Sequence, residues 1–332
     1  MDFLKFKNKI DLNPFQPLYF LYGEESYYID ELSKYIVDKT IDPAMKDFNF
    51  SIIYGKDADY KTVLDAVGRY PMMAEYQVVV LREAQRMRDF AELQSYFANP
   101  QTTTVFIIEY KDKIDKRLKQ FKLLAKLDTA FESQKVRDYQ ITKWILSYIK
   151  EHGWEISVPN AQMMADHLGT DLGKIVNEVN KMMINKEDNQ TIGADDIEKY
   201  IGISKEYNVF ELQSALGHRD LEKVTRIVRH MTGNERDFPL VMIVPVVHSY
   251  FTKIYKMHFV RNASPREKMK ALGLSHEFFL KEFEVAARSY SIRRCEEILQ
   301  TLFTYDCRSK GIDNPSGENG QLVKELMVKI VN

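Results

Sequence analysis

Short runs of consecutive apolar residues punctuate the first 139 positions. Leu18-Tyr19-Phe20-Leu21-Tyr22 ends at Gly23, and Phe50-Ser51-Ile52-Ile53-Tyr54 ends at Gly55. Val78-Val79-Val80-Leu81 and Val105-Phe106-Ile107-Ile108 are unbroken and rich in β-branched residues. Runs of this length predict strands buried on both faces of a parallel sheet. Between them, Tyr27, Ile29 and Leu32, and later Val63, Leu64 and Val67, recur at roughly helical spacing and supply the crossovers. Residues 1–139 therefore read as an α/β domain of nucleotide-binding type.

Beyond Tyr139 the strand-like runs stop. Amphipathic segments follow at Ile141, Trp144, Ile145, Tyr148 and Ile149, then at Met163, Met164 and Leu168, then at Leu172, Ile175, Val176 and Val179. Pro159, Gly169 and Gly193 separate them, and Thr191, Asp195 and Asp196 suit a helix start. Residues 140–203 predict a small helical module, and residues 204–332 stay helical with no repeat period. The expected architecture is an α/β domain, a small helical domain and an all-α domain. The most apolar stretch, 238–247, is broken by Pro239 and Pro245 and is about half a membrane span. With no signal-peptide core in the first ten residues, a cytoplasmic protein is expected.

Composition narrows the chemistry. Of 332 residues, 45% are hydrophobic and 29% charged, which is ordinary globular usage. Two cysteines, Cys295 and Cys307, make neither a disulfide framework nor a four-thiolate zinc site. The net charge of −1 gives no overall field to steer the chain toward phosphate. It is unevenly spread, with 21 positive and 22 negative residues in 1–139, 6 and 10 in 140–203, and 20 and 16 in 204–332.

A strand, a tight glycine turn and a helix is where a phosphate-binding loop would sit. It would need a second glycine followed by Lys and Ser or Thr. Here the turn reads Gly23-Glu24-Glu25-Ser26, and two carboxylates would repel a triphosphate. This is either an ordinary strand–turn–helix or a nucleotide fold that has lost its nucleotide. The seven histidines form no HExxH pattern and none lies beside a cysteine at metal-ligand spacing. No nucleophile elbow is present. No catalytic residue, metal site or cofactor is expected. Residues 111–126 carry seven positive and two negative side chains; Ile114, Leu118, Phe121 and Leu124 or Ala125 would share one helix face, with the lysines solvated or contacting phosphate or a partner.

Five segments, taken in order, resemble the delta subunit of the bacterial DNA polymerase III clamp loader. The first is the stretch from Leu18 to Ile29, similar to that family's opening strand and degenerate loop. The others are Tyr70-Pro71-Met72-Met73-Ala74-Glu75-Tyr76 running into Val78, then His167-Leu168-Gly169-Thr170-Asp171-Leu172 with Asn177-Glu178-Val179-Asn180-Lys181. Tyr207-Asn208-Val209-Phe210-Glu211-Leu212 and Tyr305-Asp306-Cys307-Arg308-Ser309-Lys310-Gly311 complete the set.

The resemblance implies an AAA+-like α/β domain, a helical lid and a helical collar. It also implies a wrench that opens the sliding clamp while neighbouring subunits hydrolyse ATP. The implied partners are the beta clamp, the gamma/tau and delta-prime subunits of a hetero-pentamer, and primed DNA through that assembly, with no membrane. The family is classed with DNA-directed DNA polymerase, although no catalytic site is expected in this subunit. The clamp contact falls on Met72 and Met73, where the family commonly has Leu and Phe, with Pro71 restraining the backbone and Tyr70 at the rim. Gly23, Glu24, Glu25 and Ser26 would form the degenerate loop. Arg293, Arg294, Arg308 and Lys310 are candidates for DNA or partner contact. The competing readings are a nucleotide-dependent AAA+ ATPase or related loader subunit, Met72 and Met73 packed at a helix end, and a scaffold outside replication.

Overall fold

All four apolar runs become strands, and a fifth joins them. The computed structural model describes residues 3–186, 190–202, 204, 207–236, 238–274, 276–313 and 319–332. Contacts group into two units, Met1–Val136 and Arg137–Asn332. The first unit runs α1 (Phe3–Leu12), β1 (Leu18–Gly23), α2 (Ser26–Thr40), α3 (Lys46–Asn49), β2 (Phe50–Tyr54), α4 (Tyr60–Val67), β3 (Gln77–Arg82), α5 (Gln94–Ala98), β4 (Thr104–Tyr110), α6 (Lys119–Leu124) and β5 (Ala130–Ser133). The strands are all parallel in the order β2-β3-β4-β1-β5.

Each central strand divides its side chains between two cores with a period of two. Leu18, Phe20, Tyr22, Val79, Leu81, Phe106 and Ile108 pack on one face with Val63 and Val67 of α4 and Phe121 and Leu124 of α6. Tyr19, Leu21, Val78, Val80, Val105 and Ile107 pack on the other with Phe6 and Ile10 of α1 and Ile29, Leu32 and Ile36 of α2. Full burial of each such side chain is worth about 1.5–3 kcal/mol, so β1, β3 and β4 anchor the unit. β2 departs from the expectation of two-sided burial. It is an edge strand on which Ser51, Ile52 and Tyr54 are exposed, because it has a neighbour on one side only. β5, at the opposite edge, was not signalled by any apolar run.

Residues 111–118 also differ from the helical expectation. The helix there covers only Lys119–Leu124, Leu118 is exposed, and the preceding lysines turn toward acids of the sheet end. The Asp115 carboxylate, which accepts from both the backbone and the side chain of Arg117, fixes a local turn in place of a helical one.

The second unit is almost wholly helical. It contains α7 (Asp138–Glu151), β6 (Glu155–Ile156), α8 (Val158–Leu168), α9 (Leu172–Asn185), β7 (Thr191–Ile192), α10 (Ala194–Ile201), α11 (Val209–Gly217), α12 (Leu221–Gly233), α13 (Leu240–Phe259), α14 (Pro265–Leu272), α15 (Leu280–Ser289), α16 (Ile292–Ser309) and α17 (Asn319–Val331). Thr191, expected near a helix start, lies instead in the two-residue strand β7, which pairs with β6. Asp196 does serve the start of α10, accepting from the Gly193 N–H at 2.7 Å. Pro239 precedes α13, but Pro245 lies inside it without ending it. Leu240, Ile243, Val247, Phe251 and Ile254 of that helix enter a core shared by α11 to α17. Among the described residues, no helix is long and apolar enough to cross a membrane.

Gly23 ends β1 at φ +129°, and a Cβ there would lie 1.9 Å from the Ser133 carbonyl oxygen. Neither the backbone angle nor the space admits a side chain. Gly23→Ala is expected to lower the unfolding free energy by roughly 2–4 kcal/mol, read as the urea midpoint of the purified protein; a wild-type midpoint would contradict this account.

Candidate functional site

In a parallel sheet the loops entering strands lie at one end and the loops leaving them at the other. The segment 68–76 enters β3, whereas Gly23-Glu24-Glu25-Ser26 leaves β1. The two candidate sites are thus at opposite ends of strands five to seven residues long, roughly 20 Å apart at about 3.3 Å per residue.

Helix α4 stops at Val67, and the chain between it and β3 is an irregular loop. Tyr70 is 77% exposed, Met72 60% and Met73 92%, with Pro71 half-buried between them. The pair is therefore neither on a helix nor in the core. Met73 has φ +54°, a left-handed backbone that costs a non-glycine residue about 1–3 kcal/mol.

Two buried carboxamides hold this loop. Asn49, at the end of α3 and 3% exposed, accepts the Met72 N–H at 2.6 Å and donates to the Met72 carbonyl at 2.9 Å. Gln77, the first residue of β3 and 8% exposed, donates to the carbonyls of Arg69 (2.6 Å) and Ala66 (3.2 Å). Gln77 is in turn fixed by the hydroxyl of Thr104 on β4, which donates to the Val67 carbonyl. At about 0.5–1.5 kcal/mol per net hydrogen bond, the three bonds to Met72 and Arg69 are together of the same order as the cost of the left-handed residue. Phe15 stacks on Tyr76 with centroids 4.6 Å apart, closing the far end of the loop. Phe48, beside Asn49, is 68% exposed. Asn49 and Thr104 had no sequence signal, since each matters through a contact with a residue distant along the chain; Gln77 lies in the segment that carries the resemblance, but its bonds to Arg69 and Ala66 appear only in the fold.

At the other end of the sheet the turn Gly23-Glu24-Glu25-Ser26 is filled by the protein's own contacts. Glu25 accepts the Tyr27 N–H at the start of α2, taking the helix terminus that a phosphate would occupy. Glu24 pairs with Lys113 at 3.2 Å, and Lys111 pairs with Asp30 on α2. Lys116 pairs with Glu132 at 2.8 Å, and the Tyr22 hydroxyl donates to the same carboxylate. Ser26 opens α2, and the Glu25 carbonyl accepts from the Ser133 hydroxyl. Lys111, Lys113 and Lys116 therefore neutralise Asp30, Glu24 and Glu132 at this end of the sheet, a role that spacing along one segment does not reveal.

Arg293, Arg294, Arg308 and Lys310 all fall on α16 or its C-terminal cap. Arg294 pairs with Glu297 and donates to the carbonyls of Lys329 and Ile330 at the end of α17, so it is committed to the fold. Arg308 lies 3.9 Å from Glu325 and over the Tyr305 ring. Arg293 and Lys310 pair with Glu297 and Asp306 on the same helix, but exposed pairs of this kind are weak, and both side chains stay open to solvent. Cys295 is fully buried, and burial pushes its thiol up to about 11, which fits a packing role. Among the described residues no cluster of His, Cys, Asp and Glu is placed to hold a metal ion.

Similarity to known proteins extends over nearly the whole chain. A family model described as "DNA polymerase III, delta subunit" matches residues 19–134. The DNA polymerase III subunit delta of Bacillus subtilis (strain 168) is 24% identical over 326 residues, covering 95% of this chain and 91% of that protein. The solved structure of the Bacillus subtilis DNA clamp loader delta protein matches with a TM-score of 0.54 at 20% identity, over 99% of both chains. The chain is thus similar to the DNA polymerase III subunit delta of Bacillus subtilis, and its parallel α/β domain followed by helices is the fold of the clamp loader delta protein.

One acid of the sheet gives a measurable signature. Glu109, on β4 opposite Leu21 of β1, has no exposed surface, and its carboxylate lies close to Ser33 of α2. Arg82 lies 3.8 Å away. Burial raises its pKa above the ordinary 4.5, more than the nearby Ser33, Lys111 and Arg82 lower it. The folded protein therefore holds this proton more tightly than the unfolded chain, and the associated stability is lost as pH rises through the folded value. Glu109→Gln is expected to match or exceed the wild type in urea midpoint at pH 8, with the difference growing from pH 4 to pH 8. A difference that shrinks over that range would contradict the assignment.

Proposed function

We propose that this chain is the delta subunit of a bacterial DNA polymerase III clamp loader, a non-hydrolysing member that grips the sliding clamp and opens it for loading onto primed DNA. The observation that carries the reading is the loop at 70–73. Two methionines stand exposed on a backbone held from both sides, in a chain related to a DNA clamp loader delta protein.

Met72 and Met73 would enter an apolar pocket of the clamp. Methionine is unbranched and polarizable, and it fills irregular pockets that a rigid ring would not. Pro71 limits the backbone, and the Tyr70 ring supplies rim contact. Because the anchor sits on the sheet end opposite the degenerate loop, clamp binding needs no nucleotide in this subunit. Lys113 pairs with Glu24, and Glu25 occupies the start of α2, so the turn presents carboxylates where a phosphate cradle would be. ATP would be hydrolysed by the gamma/tau neighbours.

Within the second unit, residues 140–203 would be the lid and 204–332 the collar that joins gamma/tau and delta-prime in a hetero-pentamer. The net excess of four positive charges in 204–332 and the open side chains of Arg293 and Lys310 suit local contact with DNA or a partner. The cytoplasm is the compartment in which such an assembly would work.

Titrating the purified chain with the organism's sliding clamp tests the reading. The wild type should form a stoichiometric complex, and Met72→Ala, Met73→Ala should weaken it by about 10–100-fold while leaving the fold unchanged. Undiminished binding by the double variant would sink the anchor assignment. Micromolar binding of ATP to the isolated chain would instead favour an active nucleotide-dependent subunit.

A further inference from the structure

Asn49 lies outside the exposed loop, yet it satisfies both backbone groups of Met72 from a buried position. Its amide also donates to the Met45 carbonyl at 3.3 Å, which ties the contact back to the turn before α3. From the other side Gln77 reaches the Arg69 carbonyl, and Thr104 on β4 reaches Gln77 and Val67. The loop is therefore fastened to a central strand and to the entry of the edge strand at once. Nothing in Met73 favours its left-handed φ of +54°. A loose loop would relax to negative φ and turn the side chain elsewhere.

We propose that Asn49 and Gln77 are positioning residues that pre-organise the methionine anchor, so that the clamp meets Met72 and Met73 already in their binding geometry. This rests on the reading of 70–73 as the clamp anchor. Neither amide touches the clamp. Each acts by raising the fraction of molecules whose loop is competent to bind, and apparent affinity falls in proportion to that fraction when the amide is removed. Pre-organisation also avoids ordering the loop during binding.

The test measures two quantities in Asn49→Ala, Asn49→Asp and the Met72→Ala, Met73→Ala double variant: clamp affinity, and amide hydrogen exchange of the free protein. Asn49→Ala should speed exchange across 70–76 by about tenfold or more and weaken clamp binding by a similar factor. Protection in β3 and β4 should stay as in the wild type. Asn49→Asp keeps the acceptor for the Met72 N–H but loses the donor, and should fall between the two. Wild-type exchange in the loop of Asn49→Ala would overturn the proposal, as would lost protection spreading into β3 and β4, since Asn49 would then support the domain in general. Faster loop exchange with undiminished clamp affinity would overturn it too, provided the double variant still loses the clamp. If the double variant binds normally, the anchor reading fails, while loop exchange in Asn49→Ala still decides whether the amide holds the loop.

Discussion

A parallel sheet covered on both faces leaves only its two ends free for work, and everything else in the first unit follows from that constraint. The alternating side chains of β1, β3 and β4 are consumed by two cores, so no functional group can project from either face. Helices must connect each strand to the next on the same heading. Loops are thereby sorted into entering and leaving sets. The leaving set, which in such folds meets ligands, is here closed by its own ion pairs. The entering set carries the exposed methionines. One end of the sheet has become structural and the other has become a surface.

The contrast between the ends is a contrast in how polar groups are satisfied. At the leaving end, charges pair with charges at the surface, through contacts of modest individual worth. At the entering end, neutral amides are buried and pair with backbone. A buried amide loses more when its partner moves than a solvated lysine does. The entering loop is therefore the more sharply fixed of the two, although it is the more exposed in its side chains. Rigidity of backbone and exposure of side chain coexist there because they are supplied by different residues.

Much of this was readable in the chain itself. Unbroken apolar runs gave β1, β3 and β4 to within a residue or two, because burial on both faces leaves no polar interruption. β2 was found as a strand, but its exposed Ile52 and Tyr54 were not foreseen, since an edge position is a fact of sheet order and not of local sequence. β5 has four residues, one of them the exposed Glu132, too few for a pattern. The lysines of 111–116 looked like a helix face because their acidic partners lie up to 89 positions away in the chain, Lys113 with Glu24 being the longest pair. Met72 and Met73 were marked, as an exposed pair, by resemblance, and the irregular loop and left-handed backbone that carry them emerged only in three dimensions. Asn49 had no local mark, as its role depends on a partner 23 residues later.

The last helix introduces a matter of timing. Leu322, Val323, Leu326, Met327 and Ile330 of α17 complete the core that α11 to α16 share, and Arg219, which precedes α12, donates to the Val331 carbonyl 112 residues further on. During synthesis, at about 5–20 residues per second, the sheet unit has all its strands and crossovers once residue 136 has emerged. The helical core must wait for nearly two hundred more residues before its final wall is in place. From the end of α13 at Phe259 to the end of α17 at Val331 is 72 residues, so for roughly 4–14 seconds at these rates α13 carries apolar surface with no complete cover. A growing chain of this design would hold a finished first unit beside an unfinished second one, which is when chaperone protection would matter most.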